Sequence, residues 1–194
     1  MRNICVFCGA KSGVHPEYAE SAAMVGRLIA ESGMGLVYGG GGIGLMGTVA
    51  DATLKAGGPV TGVLPRSLMK KEIAHHGLSE MIVVDSLAER KQIMFERSDA
   101  FLVLPGGFGT LDELTEMITW GQLGFNNKPV GLLNVAGFYD GLIAFLSQCE
   151  RNGLIKAEHL ALMLVSQSAA DMLEILRAAM PPKPPGGRAV ASAD

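Results

Sequence analysis

Two short stretches of this chain carry residue types and spacings that could do chemistry. Pro105–Thr110 reads PGGFGT, and Glu113 follows three residues after Thr110. Gly39–Gly47 reads GGGGIGLMG. Each follows an apolar run and precedes a segment of helical periodicity. Glycine lets the backbone approach a ligand closely. The helix start behind it offers free N–H groups and the positive end of a dipole, which suits phosphate. A tight turn needs fewer glycines than either cluster has, so both are expected to cradle an anion.

Charged residues lie near these turns. Arg90 and Lys91 sit early in a helix-period segment. Cations there oppose the macrodipole by roughly 0.3–1 kcal/mol each. A bound phosphate would offset that cost, and arginine can grip it through two hydrogen bonds. A solvated pair, partly neutralised by Asp85 and Glu89, fits the spacing equally well. Glu113 and Glu116 are three apart and share a helical face. A carboxylate beside a phosphate-binding turn could stabilise the positive charge that builds on a sugar as its glycosidic bond breaks. Thr110 and Glu113 also have capping-box spacing. On spacing alone, a glutamate capping its own helix is the simpler reading.

Other chemistries find less support. Gly42, Gly44 and Gly47 match G-x-G-x-x-G, but after the second apolar run, and no acid ends the next one (VTGVLP). Dinucleotide binding is therefore a runner-up. Neither a P-loop nor a G-x-S-x-G element occurs. His15, His75, His76 and His159 show no metal spacing, and adjacent His75 and His76 read as solvated. Cys5 and Cys8 form C-x-x-C, but on an expected strand, where positions three apart face opposite ways. They read as core thiols, not a redox pair.

The elements that must position these residues alternate. Apolar runs Ile4–Cys8, Gly35–Tyr38, Val60–Leu64, Met81–Val84, Ala100–Leu104, Val130–Asn134 and Leu162–Val165 read as strands. Pro16–Glu31, Leu45–Ala56, Ser86–Arg97, Thr110–Leu123, Tyr139–Asn152 and Ala169–Met180 read as helices. Arg66–Glu80 reads as a charged loop with a short helix near Leu68–Glu72. Such alternation predicts a parallel sheet covered on both faces. FLVLP and VGLLN are apolar almost throughout, as strands buried on both sides must be. Residues 1–180 are expected to form one domain, and Pro181–Asp194 reads as a disordered tail.

Composition agrees. The 194 residues are 48% apolar and 18% charged, with a net charge of -3, so bulk charge draws the chain to neither nucleic acid nor an anionic membrane. Three cysteines suit a reducing cytoplasm better than a disulfide framework. No secretory leader or membrane span is expected.

Taken together, these segments resemble the LOG ("Lonely guy") family, the cytokinin riboside 5′-monophosphate phosphoribohydrolases. The family signature P-G-G-x-G-T-x-x-E falls on Pro105–Glu113 without a mismatch, preceded by the R-K pair at Arg90–Lys91. The resemblance extends from VFCGAKSG through YGGGGIGLMG and SDAFLVLPGGFGTLDELTEMITWGQLG to KPVGLLNVAGFYD and beyond.

It implies a Rossmann-like doubly wound fold, usually a homodimer, and removal of the base from N6-modified AMP or AMP itself. It implies nucleotide contacts from Glu72, Arg90, Lys91 and Thr119. Gly107, Phe108, Gly109, Thr110, Leu111, Asp112 and Glu113 would wrap the 5′-phosphate. Arg90 and Glu113 would be catalytic. Asp112 stands where relatives often carry glutamate. No metal or redox cofactor is implied. A lysine decarboxylase label sometimes attaches to such sequences, although nothing in the residue pattern points to a pyridoxal Schiff base. A non-catalytic carrier of the same fold, like the molybdenum-cofactor carriers, is the rival reading, and a dinucleotide-dependent oxidoreductase a more distant one.

Overall fold

The computed structural model describes residues 1–69 and 74–182. Among the described residues seven strands alternate with helices. They are β1 (Asn3–Phe7), β2 (Gly35–Tyr38), β3 (Val60–Pro65), β4 (Glu80–Val84), β5 (Ala100–Val103), β6 (Val130–Leu133) and β7 (Met163–Ser166). The helices are α1 (Pro16–Glu31), α2 (Gly44–Lys55), α3 (Leu87–Glu96), α4 (Phe108–Gln122), α5 (Asp140–Arg151), α6 (Ala157–Leu160) and α7 (Ala169–Ala179).

All strand pairs are parallel, in the order β4-β3-β2-β1-β5-β6-β7. The chain begins at mid-sheet, works outward to β4, then crosses back to β5 on the other side of β1. Strand order therefore reverses between β1 and β5. In open α/β sheets a ligand crevice forms outside the carboxyl ends of the strands at such a point.

The expected doubly wound sheet is present, with a core on each face. One core packs Ile4, Val6, Leu36 and Leu102 against α1, α2 and α7. The other packs Phe7, Val37, Phe101 and Leu132 against α3 and α4. Cys5 belongs to the second core and Cys8 to the first, so the C-x-x-C thiols do face opposite ways. Among the described residues, no helix is long and apolar enough to cross a membrane.

Several element ends differ from expectation. α1 and β2 fall where the pattern predicts, whereas β7 lies one residue later. Arg66–Leu68 forms a 3-10 turn, and the rest of the helix expected near Leu68–Glu72 lies mostly outside the described residues. α6 and the 3-10 turn Val135–Gly137 carry no periodicity long enough to announce them. The expected tail lies beyond the described residues except at its start, where Pro181 O accepts a 2.9 Å hydrogen bond from Arg2.

The difference with most consequence is at α4. This helix starts at Phe108, two residues earlier than its periodicity suggests, with extended Gly107 as its N-cap. Glycine's poor helix propensity hides such a start, but the first turn makes no demand for intrahelical acceptors on its N–H groups. Thr110 is thus the third helical residue and no cap, so the Thr110–Glu113 capping box does not exist. At α3 a capping box is present in modified form. Ser86 accepts the Glu89 N–H at 3.1 Å, while the Glu89 carboxylate reaches past Ser86 to the Asp85 N–H at 3.0 Å.

Ala136 sits in the left-handed region at φ 49 and ψ 33, within the turn that follows β6. A Cβ is costly there, and glycine removes it. Ala136→Gly should therefore stabilise the protein by up to about 1 kcal/mol, glycine's extra unfolded-state entropy offsetting part of the gain. Thermal melting of the two proteins measures the difference.

Candidate active site

A cleft of about 500 Å³ opens at the β1–β5 reversal. The loop after β1 (Gly9 to Gly13) forms one wall and the PGGFGT turn with α4 the other. The parallel ladder continues past both strand ends to hold these walls together. Leu104 N–H donates to Phe7 O at 2.9 Å and Gly9 N–H to Pro105 O at 3.0 Å. The Tyr139 hydroxyl, buried behind the turn, donates to Leu104 O at 2.7 Å. The turn is thus held from two sides before any ligand arrives.

Gly107, Gly109, Thr110 and Glu113 line the cleft along one face of α4. No side chain caps this helix. The amides of Phe108, Gly109 and Thr110 lie in the first turn, where the helix supplies no acceptor and the dipole is positive. The second glycine cluster is therefore open to an anion.

The first cluster differs. The N–H groups of Leu45 and Met46, at the start of α2, donate to Gly9 O at 3.1 and 3.3 Å. They are consumed in holding the β1 loop, so these two helix-start amides are closed to the anion expected at Gly39–Gly47 and to the pyrophosphate of the G-x-G-x-x-G reading. Close packing explains its glycines instead. A Cβ on Gly44, whose φ is +62, would lie 2.3 Å from the Ala10 carbonyl carbon, and one on Gly39 would lie 2.0 Å from Arg90 Nη2.

Arg90 reaches into the cleft from α3. Its Nε donates to Val63 O at 3.1 Å and its Nη2 to Gly39 O at 3.4 Å. Nη2 lies 3.9 Å from Glu113 Oε1, and both side chains are only 11% exposed. The solvated-pair reading of Arg90 and Lys91 therefore fails. Its would-be partners are engaged elsewhere, Asp85 with Arg66 at 3.3 Å and Glu89 with the Asp85 amide. Arginine tolerates this partial burial because its charge is delocalised and its fork meets carbonyls squarely.

Lys91 points to the neighbouring turn of α4, with Nζ 3.0 Å from Asp112 Oδ2 and 3.1 Å from Glu116 Oε1. Burial alone would lower its pKa, but the hydrogen bonds and charges of Asp112 and Glu116 outweigh burial, and the net direction is upward. The expected shared face of Glu113 and Glu116 thus meets the consecutive cations of α3. One pair opens on the cleft, and the other ties the helices together.

The Glu113 charge reaches the floor of the cleft. The Cys8 thiol is pushed up by burial first and by Glu113 second, with Arg90 opposing. Cys5 is raised by the same two causes. Both thiols therefore stay protonated, as core residues should.

Of the residues singled out from the sequence, the cleft brings together Gly39, Leu45 and Met46 of the first glycine cluster with Arg90, Gly107, Gly109, Thr110 and Glu113. Lys91 and Asp112 pair beside it. Leu111 packs against the core below, and Phe108 is 93% exposed at its rim. Thr119 is exposed on α4, roughly 9 Å beyond Glu113 along the axis at 1.5 Å per residue. Glu72 lies outside the described residues.

Sequence reasoning missed the opposite wall of Lys11, Ser12 and Gly13, and the aromatic pair Tyr18 and Phe138, set edge to face at 5.4 Å. The glycine that closes the first strand was the available signal. Among the described residues no group of three or more His, Cys, Asp or Glu side chains could hold a metal ion.

A parallel sheet with its cleft at the strand reversal, a helix start open to an anion, and a carboxylate beside a guanidinium defines a Rossmann-like protein for a phosphorylated ligand. Comparison with known proteins narrows that class. Residues 46–176 match the family described as "Possible lysine decarboxylase". The probable cytokinin riboside 5′-monophosphate phosphoribohydrolase LOGL9 of Oryza sativa subsp. japonica is 45% identical over 93% of this chain and 79% of its own length. Its counterpart LOG5 of Arabidopsis thaliana is 43% identical over the same shares. The chain belongs to the LOG family of cytokinin riboside 5′-monophosphate phosphoribohydrolases. Among solved structures, the molybdenum cofactor binding protein of Rippkaea orientalis matches with TM-score 0.68 and 25% identity, over 91% of this chain and 96% of that one.

Proposed function

We propose that the protein hydrolyses the N-glycosidic bond of N6-modified adenosine 5′-monophosphate, with AMP as a simpler substrate. One observation carries this reading. Glu113 lies one helical turn beyond the amides at the start of α4, and both border one cleft with Arg90 beside the carboxylate. Relatives named for this reaction at 45% identity support it.

In the proposed mechanism the 5′-phosphate docks on the amides from Gly107 to Thr110. The ribose then lies along α4, with its C1′ near Glu113. The C1′–N9 bond breaks with its electron pair leaving on the base. Glu113 stabilises the cationic sugar and directs a water oxygen to C1′. One of the water's protons goes to the departing base and its hydroxyl stays on C1′, giving free base and ribose 5-phosphate. Arg90, anchored on two main-chain carbonyls, holds the sugar phosphate in place. Lys91, Asp112 and Thr119 lie beside or beyond the cleft, and their proposed part is to brace α3 and α4 around the substrate. Leu111, packed on the core, fixes the inner side of the first turn of α4, and Phe108 stands exposed on its outer side.

The assay is release of free base from AMP and from isopentenyl-AMP. The enzyme reading expects base from at least one of them. A nucleotide carrier would bind both and cleave neither.

A homodimer in the cytoplasm belongs to the same proposal. Exposed Leu123 and Phe125 lie close together just past α4, as apolar residues at an interface do. The three cysteines, none of them in a disulfide, suit a reducing compartment. Sedimentation should give twice the 20.3 kDa chain mass, and a monomer at micromolar concentration would contradict the dimer.

A further inference from the structure

The His75 ring is buried, with 8% of the side chain exposed, and the chemistry above gives it no task. It sits in the polar run expected to be solvated, and its neighbour His76 is indeed exposed. Nε2 of His75 lies 2.9 Å from Asp51 Oδ1 on α2. An ionised carboxylate only accepts, so the ring carries its proton on Nε2. Nδ1 is buried with no hydrogen-bond partner among the described residues. The main chain here is stitched to the first glycine turn. His75 N–H donates to Gly40 O at 3.1 Å, and Ala74 forms an antiparallel bridge with Gly41.

That turn has a second occupant. Arg90 rests its guanidinium on Gly39 O and on Val63 O. Gly40, at φ +81, packs against the same strand, so close that an added Cβ would lie 3.0 Å from Leu64 Cβ. Arginine carries large side-chain entropy, so it holds one position only on acceptors that are themselves fixed. The glycines cannot supply that rigidity, because glycine is the least restrained residue. The segment stitched to them can.

We propose that His75 is a positioning residue for Arg90. Its ring, held by Asp51, pegs the Gly39–Gly41 turn in place and so fixes the guanidinium beside Glu113. The consequence for turnover rests on the phosphoribohydrolase reading, while the consequence for Arg90 does not. A purely structural histidine would explain the burial. It would predict lost stability alone, with a side-chain replacement of similar size restoring it whether or not it could reach Asp51.

The test uses the full chain and the variants H75A, H75Q, H75L and D51A. Glutamine can present an amide N–H to Asp51, and leucine fills the space without one. Steady-state kinetics on AMP and isopentenyl-AMP are run with thermal melting and with ¹⁵N NMR of the Arg90 Nε–H, assigned by its loss in R90K. H75A and H75L are expected to lower kcat on the order of 10- to 100-fold, as misplacement of a catalytic group does, with KM little changed. In both, the Arg90 Nε–H exchanges faster with water. H75Q recovers most of kcat and the slow exchange, and D51A behaves like H75A.

An unchanged Arg90 resonance in a folded H75A protein overturns the proposal. So does an H75L protein with wild-type kcat. If the wild type releases no base, the phosphoribohydrolase reading falls, and the Arg90 resonance still decides the role of His75.

Discussion

Glu113→Gln should give a folded protein that still binds AMP but releases base on the order of 10²- to 10³-fold more slowly, the range seen when one preorganised electrostatic group is removed. The substitution keeps the size and shape of the side chain and removes only its charge. A neutral amide cannot stabilise a cationic sugar. In the proposed mechanism the phosphate contacts are main-chain amides of α4, which the side chain at 113 does not supply, so affinity is expected to persist. Arg90 keeps its two carbonyl acceptors, so no buried cation is left without hydrogen bonds. Base release, calorimetric AMP binding and thermal melting together check the three parts. Wild-type turnover would remove Glu113 from the chemistry.

The second large effect comes from one methyl group. Gly39→Ala places a Cβ 2.0 Å from Arg90 Nη2 and 3.1 Å from Met46 Sδ. Neither atom is backbone. The long arginine yields more easily than the sheet, so the fold survives and the guanidinium leaves its seat on Gly39 O. Turnover is expected to fall on the order of 10²-fold, the cost of a misplaced catalytic group. Melting should change little. Kinetics and a crystal structure of G39A would show the loss and the displaced side chain. A G39A protein with wild-type turnover would mean that the position of Arg90 is unimportant.

The fold was legible because its signal is local and repeated. Runs such as FLVLP are apolar on both sides, and only a strand covered by helices on both faces satisfies them. The PGGFGT turn and Glu113 were legible for the same reason, since they lie within nine residues. Three features were not. The capping reading of Glu113 failed because the helix start lies hidden in glycines, which propensity places outside a helix. The anion reading of the first glycine cluster could not foresee that the Leu45 and Met46 amides are taken by Gly9 O, from a loop some 35 residues away in sequence. The burial of His75 depends on Asp51 and Gly40, from two other elements. Each miss concerns a contact made by topology, and spacing along the chain does not encode it.

Strand order would have recovered part of this. With β1 at mid-sheet, the loop after it must face the crevice. Gly9 to Gly13 then become site residues before any side chain is inspected.

A crystal of the E113Q protein soaked with AMP tests the central claim most directly. Phosphate oxygens within hydrogen-bond distance of the Phe108, Gly109 and Thr110 amides, with the ribose C1′ facing the side chain at 113, are the predicted result. A nucleotide seated elsewhere, with the start of α4 left open to solvent, would contradict the account.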